Sequence, residues 1–157
     1  MAILNILKDT DPTLRKTSRE VADITPRILT LLDDMKDTMR AANGCGLAAV
    51  QVGVLRRIVV IETEESGYIE LINPKIVAYS GRQQEAEGCL SVPGRWGITD
   101  RPMHVTVKAL NRMGEEITLT GKDLLARAFC HELDHLDGVL FTDKAIRMLS
   151  RDEIEEG

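Results

Sequence analysis

Between positions 131 and 135 the chain reads His-Glu-Leu-Asp-His, and Leu-Asp-Gly follows at once. Only three histidines occur in 157 residues, and two of them stand here, four positions apart. On an α-helix that spacing stacks both imidazoles on one face, with Cβ atoms about 5–6 Å apart. Two imidazoles so placed can share one divalent ion, and the Glu between them can take a proton from water that the ion activates. Continued in both directions, the helix puts Leu124, Ala128, His131 and His135 on one stripe and Leu125, Phe129, Glu132 and Leu136 on the next. Asp123, Arg127, Cys130, Asp134 and Asp137 form its polar side. Three polar groups therefore enter a core-facing arc, where they are costly unless partnered. A metal removes that cost, so the pair reads as ligands. Thr120 is the expected helix cap, with Asp123 three residues on.

The remaining composition limits what can surround this helix. Aromatic residues make up 3% of the chain, so a core must come mainly from Leu, Ile, Val and Ala. With 43% apolar and 29% charged residues the chain reads as one ordinary globular domain, 1–157. A net charge of −5 argues against a nucleic-acid surface. No apolar run reaches the length of a membrane span, and the Met1–Leu7 stretch stops at Lys8-Asp9, too short for a signal-peptide core. A soluble cytoplasmic protein is expected. Three widely spaced cysteines, Cys45, Cys89 and Cys130, do not make a disulfide framework, and Cys45 and Cys130 are expected to be buried.

In chain order, residues 9–20 are polar and turn-rich around Pro12, an exposed lead-in with at most a short helix. Thr25 as cap and Pro26 at the first helical position open a helix whose stripe is Ile28, Leu31, Leu32, Met35 and Met39; Asn43-Gly44 stops it. The small residues of Gly44-Cys-Gly-Leu-Ala-Ala-Val-Gln51 form a tight turn or a site wall, with Gln51 an amide donor aimed into a cavity. Arg57–Glu62 and Tyr68–Ile72 form a hairpin, with Asn73-Pro74 breaking the second run. Ser80–Ala86 is a polar segment leading to Glu87-Gly-Cys-Leu-Ser-Val-Pro93, where Gly88 leaves the Cys89 thiol accessible. His104–Leu110 and Glu116–Thr120 alternate as a second antiparallel hairpin around Asn111–Gly114. The fold class is α+β: antiparallel β-sheets packed around a central HExxH helix, with an N-terminal helix.

A catalytic zinc-type site needs a third protein ligand. The long protease form of the helix motif requires a His at position 141, where this chain has Phe. Glu153, Glu155 and Glu156 stand in an acidic tail expected to fray, and His104 sits in an alternating strand. Cys89, a soft anionic donor in a Gly-flanked turn, is the best choice on chemistry. A metallo-endopeptidase using a tail Glu, and an inactive module merely stabilised by its ion, remain the alternatives.

Three motifs, Gly44–Gln51, Glu87–Pro93 and His131–Gly138, occur in the order and rough spacing of the signature motifs of bacterial peptide deformylases, which the chain resembles over nearly its whole length. The resemblance implies a hydrolase of protein biosynthesis that removes the formyl group from N-terminal N-formylmethionine. It implies that Cys89, His131 and His135 bind one divalent ion, with Fe²⁺ favoured and Zn²⁺, Ni²⁺ or Co²⁺ compatible. Glu132 would be the general base, and the Leu90 N–H and Gln51 amide would stabilise the oxyanion. Gly46 would let the substrate backbone approach, and Cys45, Leu124 and Ala128 would surround the methionine pocket. Its partners would be N-formylmethionyl nascent chains, with transient proximity to the ribosome. The stretch Gly94–Ile98 varies among relatives, so contacts beyond methionine do not transfer. The short acidic end contrasts with the longer basic C-terminal helix by which some relatives touch the ribosome.

Overall fold

The structure is a computed structural model that describes residues 2–156, without the Glu156 side chain. Met1 and Gly157, the ends of the expected domain, and the side chain of Glu156, one of the tail ligand candidates, lie outside the described residues. Its helices are α1 (Pro26–Ala41), α2 (Asp123–Leu136), α3 (Phe141–Lys144) and α4 (Arg151–Glu156). A five-stranded antiparallel sheet has the order β1-β2-β3-β6-β7, where β1 is Gly46–Ala48, β2 Ile58–Thr63, β3 Gly67–Ser80, β6 His104–Leu110 and β7 Glu116–Lys122. A three-stranded antiparallel sheet has the order β4-β5-β8, with β4 Gln83–Cys89, β5 Val92–Arg101 and β8 Arg147–Met148. The fold is α+β, as the patterning implies.

The run Ile58-Val-Val-Ile61 shows how the layers form. Ile58 and Val60 join Leu32, Met35 and Met39 of α1 in one core, and Val59 and Ile61 join Leu125, Phe129 and Leu136 of α2 in the other. Both faces of β2 are covered, so its sequence is continuously apolar rather than alternating. Each fully buried Leu, Ile or Phe contributes roughly 1.5–3 kcal/mol, and these two layers fix α2 as an interior helix. Ten of its fourteen residues are buried, His131, Glu132 and His135 among them.

Several sequence expectations hold and others need correction. Thr25 caps α1 through Ile28 N–H at 3.4 Å, and Asn43 at φ +58° ends it, with Gly44 N–H returning to the Met39 carbonyl. The β6–β7 hairpin forms as read. Thr120, however, does not cap α2. It lies in β7 with its hydroxyl 2.9 Å from that of Thr106, and the helix opens at Asp123 with φ +49° and no side-chain cap. Asn73-Pro74 does not break β3 either. It is absorbed in a bulge, where Pro74 needs no ladder donor and Asn73 at φ +52° clamps both backbone groups of Val21. The polar Ser80–Ala86 segment is mostly strand, because β4 pairs with β5 residue by residue from Gln83 to Arg101. The lead-in carries a 3₁₀ turn at Pro12–Arg15 whose Leu14 is completely buried. The acidic tail is helical rather than frayed, with Glu153 bound to Arg147 and Ser150.

An ion cluster joins the N-terminal helix to the sheet. Arg112, after β6, donates to Glu70 of β3 and Asp33 of α1, each at 2.7 Å, while Tyr68 donates to Glu70 at 2.6 Å. Burial alone would raise the Glu70 carboxyl, but the Arg112 and Tyr68 hydrogen bonds outweigh it and hold the group below the usual carboxylate range. A depressed carboxylate stabilises the fold above its ordinary titration range and loses that contribution as the pH falls through it. Arg112→Met should therefore cost about 1–2 kcal/mol at neutral pH, between exposed and buried pair values. In urea unfolding the gap to the parent protein should shrink as the pH drops below about 4, where carboxylates protonate. A gap independent of pH would contradict this account of the cluster.

Candidate active site

Three elements meet at the buried face of α2. The helix brings His131 and His135, the end of β4 brings Cys89, and the 3₁₀ turn Ala49–Val52 after β1 brings Gln51. Cys89 Sγ stands 3.3 Å from His135 Nε2, which stands 3.2 Å from His131 Nε2, and the three donor atoms lie within 4.8 Å of one another. One sulfur and two imidazole nitrogens converge on a single point. Such a soft, tetrahedral-type donor set suits Zn²⁺, Fe²⁺ and similar ions.

The protonation chemistry of the group fits a cation. Burial and the neighbouring His131 push the His135 imidazole well below its ordinary range. His131 is driven the other way: burial would lower it, but Glu132, Cys89 and Glu87 raise it further than burial lowers it. The site thus favours positive charge at the His131 side, amid acidic neighbours. His135 Nδ1 and Glu132 Oε1 are buried without a hydrogen-bond partner among the described residues. The Glu132 carboxyl is pushed up to about 7, mainly by burial, with Glu87 and Asp134 adding to the effect and His131 opposing it. A divalent cation beside it would restore the carboxylate form.

A layer of charge behind these candidate ligands orients His131. Glu87 accepts from His131 Nδ1 at 2.5 Å, leaving Nε2 turned toward Cys89 and His135. Glu87 also takes hydrogen bonds from Thr99 Oγ1 and from Arg101 Nε and Nη2, while Arg101 Nη1 reaches Asp134 at 2.7 Å. Burial would raise the Glu87 carboxyl, but the His131 and Arg101 bonds prevail and bring it to about 2, so it stays ionised. A carboxylate on the far nitrogen of a ligating imidazole sets its tautomer and ring angle. In the sequence Glu87 lies within its motif with nothing to mark this task, and Arg101 belongs to none of the three motifs. The one available signal was an acid two residues before the candidate Cys ligand.

The other predicted residues gather around the same point. Gln51 is buried; its Oε1 accepts from Ala48 N–H at 2.9 Å, and its Nε2 donates to Ser91 Oγ at 3.0 Å and contacts Cys89 Sγ at 3.7 Å. Gly46 is packed against Glu132 itself: a Cβ there would lie 2.5 Å from Glu132 Oε2. The need for glycine at 46 therefore arises first from Glu132, not only from a passing substrate. A cavity of about 370 Å³ opens here, bordered by Cys45, Gly46, Gln51, Leu90, Leu124, Ala128, His131 and Glu132, and also by Asn43, Trp96 and Arg127. Cys45, expected to be buried, is exposed at this cavity because β1 turns its neighbours, not its thiol, into the core; Cys130 is buried as expected. Phe141 is packed in the core with its ring stacked 6.2 Å from that of His131, and His104 is exposed on β6.

Comparison with known proteins agrees with this arrangement. Residues 3–151 match the family model of polypeptide deformylases. A peptide deformylase of Acetivibrio thermocellus is 59% identical over 99% of this chain and 91% of its own length. One from Caldicellulosiruptor bescii is 55% identical over 99% and 93%. The crystal structure of a peptide deformylase from Legionella pneumophila superposes with a TM-score of 0.88 at 41% identity, covering 99% of this chain and 95% of that one. With the motif helix, the cysteine strand and the cavity in the same fold, the chain belongs to the polypeptide deformylase family.

Proposed function

We propose that this chain removes the formyl group from N-terminal formylmethionine of new polypeptides, with Cys89, His131 and His135 holding the divalent ion and Glu132 acting as general base. The observation that carries the assignment of the base is the orphaned Glu132 Oε1, a buried acceptor bordering the cavity next to the ligand cluster. When bound, the ion supplies Lewis acidity, lowering the pKa of water and polarising the formyl oxygen. Glu132 accepts the proton of the attacking water and returns it to the leaving amine. As the formyl carbon becomes tetrahedral, negative charge gathers on its oxygen. Gln51 Nε2, which now faces Cys89 Sγ, and the Leu90 backbone N–H are the donors for that charge. Glu87, fixed by Arg101 and Thr99, keeps the His131 ring from rotating. Cys45, Leu124 and Ala128 form the wall beside which the methionine side chain lies.

Fe²⁺ is the ion favoured in the cell by the family resemblance, and the donor set also takes Ni²⁺, Co²⁺ or Zn²⁺. The compartment is the cytoplasm, where formylated chains are made; no helix is long and apolar enough to cross a membrane among the described residues. Proximity to the ribosome is transient, and the acidic residues Asp152, Glu153 and Glu155 of α4 argue against a basic contact there. A protease reading that takes its third ligand from Glu153 is disfavoured, because that carboxylate is bound to Arg147.

Anaerobically purified protein, assayed after metal analysis, should release formate from formyl-Met-Ala-Ser and leave casein intact. Glu132→Ala should keep its ion and fold while kcat falls on the order of 10²–10⁴-fold, the usual worth of a positioned base. Unchanged turnover would remove Glu132 from this role, and a failure to release formate at every metal loading would remove the proposed reaction. Gly46→Ala gives an independent check, since its methyl would collide with the Glu132 carboxyl. A loss on the order of a hundredfold in kcat with unaltered metal content is expected from so small a displacement; wild-type kcat in that variant would show that Glu132 need not sit where it does.

A further inference from the structure

Ser91 stands directly after Leu90 and is completely buried. Its hydroxyl meets the Gln51 side-chain amide, whose Nε2 donates to Ser91 Oγ at 3.0 Å. The other end of that amide is fixed too, because Gln51 Oε1 accepts from Ala48 N–H at 2.9 Å. A backbone N–H can only donate, so the atom facing it is the oxygen, and the NH₂ group is the one turned toward Ser91 and Cys89. The amide therefore has one orientation.

Two hydrogens diverge from Nε2 in the plane of the amide, and holding one of them in the Ser91 bond sets where the other points. That second hydrogen lies on the side of Cys89 Sγ, 3.7 Å from Nε2, a loose contact beside a hydrogen bond of ordinary length. It is the hydrogen left for charge that develops on the formyl oxygen. A donor already aimed at such charge stabilises it without having to turn at the moment of reaction. The backbone keeps serine and glutamine at this distance. Leu7 N–H donates to the Gln51 carbonyl at 2.7 Å, and Asp9 N–H donates to the Ser91 carbonyl at 2.9 Å. The lead-in thus ties the 3₁₀ turn that carries Gln51 to the connection between β4 and β5 that carries Leu90 and Ser91. Without the hydroxyl, Oε1 would still be held, but terminal sp³–sp² torsions are broad and the NH₂ end would be free to swing. We infer that Ser91 is a positioning residue, whose hydroxyl aims the free N–H of Gln51 at the place where the oxyanion forms. This rests on the deformylase reading above.

A buried serine that merely fills space makes its contribution whether or not Gln51 is present, so a double-variant cycle separates the two roles. The full-length, Ni²⁺-loaded protein is assayed with formyl-Met-Ala-Ser. Gln51→Ala should lower kcat on the order of a hundredfold, as loss of one oxyanion donor does. Ser91→Ala should lower kcat about ten- to thirtyfold, with KM within about twofold of the parent and metal content unchanged. Added to Gln51→Ala, it should cost no more than about a further twofold. A loss as large in that background as in the parent, or one that follows lost metal or a raised KM alone, would overturn the inference. A second measurement does not depend on turnover. The chain has three glutamines, so the Gln51 side-chain amide is identified in the nitrogen NMR spectrum by its loss in Gln51→Ala. In Zn²⁺-loaded protein that group should be as rigid as the ordered backbone, and Ser91→Ala should make it mobile on the picosecond-to-nanosecond scale. An amide equally rigid in both proteins would also overturn it. If the parent protein releases no formate at any metal loading, the deformylase reading fails, and the NMR comparison still decides whether Ser91 holds the Gln51 amide.

Discussion

The buried contact between Glu87 and His131 is the interaction on which the site depends. A helix can place two imidazoles one above the other, but it cannot choose which nitrogen of each ring faces the cavity. Glu87 makes that choice for His131 by taking Nδ1, and Arg101 keeps Glu87 ionised while its remaining nitrogen reaches Asp134 on the next turn of α2. Strand β4 thus supplies both Cys89 and, two residues earlier, the anchor of His131, a second candidate ligand. Any slip of β4 against α2 would move both together. Gln83 resists such a slip, donating to the Asp123 carbonyl at the start of the helix and to the Pro102 carbonyl just after β5, and accepting from Arg127.

Buried charge of this kind is expensive, and the aliphatic layers are what keep it in place. Neither a lone helix nor a two-stranded hairpin could hold three polar groups of α2 away from water. Here the five-stranded sheet is covered on one face by α1 and on the other by α2, so apolar packing fixes the helix that carries these polar groups. The layers also explain how so few aromatic residues suffice. Phe129 and Phe141 are both buried around α2, while the sole tryptophan is left to the cavity wall.

Much of this was legible in the sequence because it follows from local spacing. The i, i+4 histidines, the Thr25-Pro26 helix start and the Asn111–Gly114 turn each carry their geometry within a few residues. What stayed hidden depends on partners far along the chain. Gln83–Arg101 lacks an alternating apolar pattern, since β4 and β5 form a small sheet whose outer face is polar, so its strands could not be read from periodicity. The bulge at Asn73-Pro74 is rescued by Val21, fifty-two residues away. The roles of Glu87 and Arg101 emerge only when β4, β5 and α2 meet, and Gly46 gains its reason only when Glu132 stands beside it.

One sulfur and two imidazole nitrogens, from Cys89, His131 and His135, are the proposed ligands of the ion. X-ray absorption at the metal edge of protein loaded with one equivalent of Zn²⁺ tests this directly. The account predicts a single sulfur scatterer at about 2.3 Å with two imidazole nitrogens at about 2.0–2.1 Å. Cys89→Ser should lose the sulfur shell while keeping both nitrogens. A first shell of nitrogen and oxygen alone in the parent protein would contradict the account.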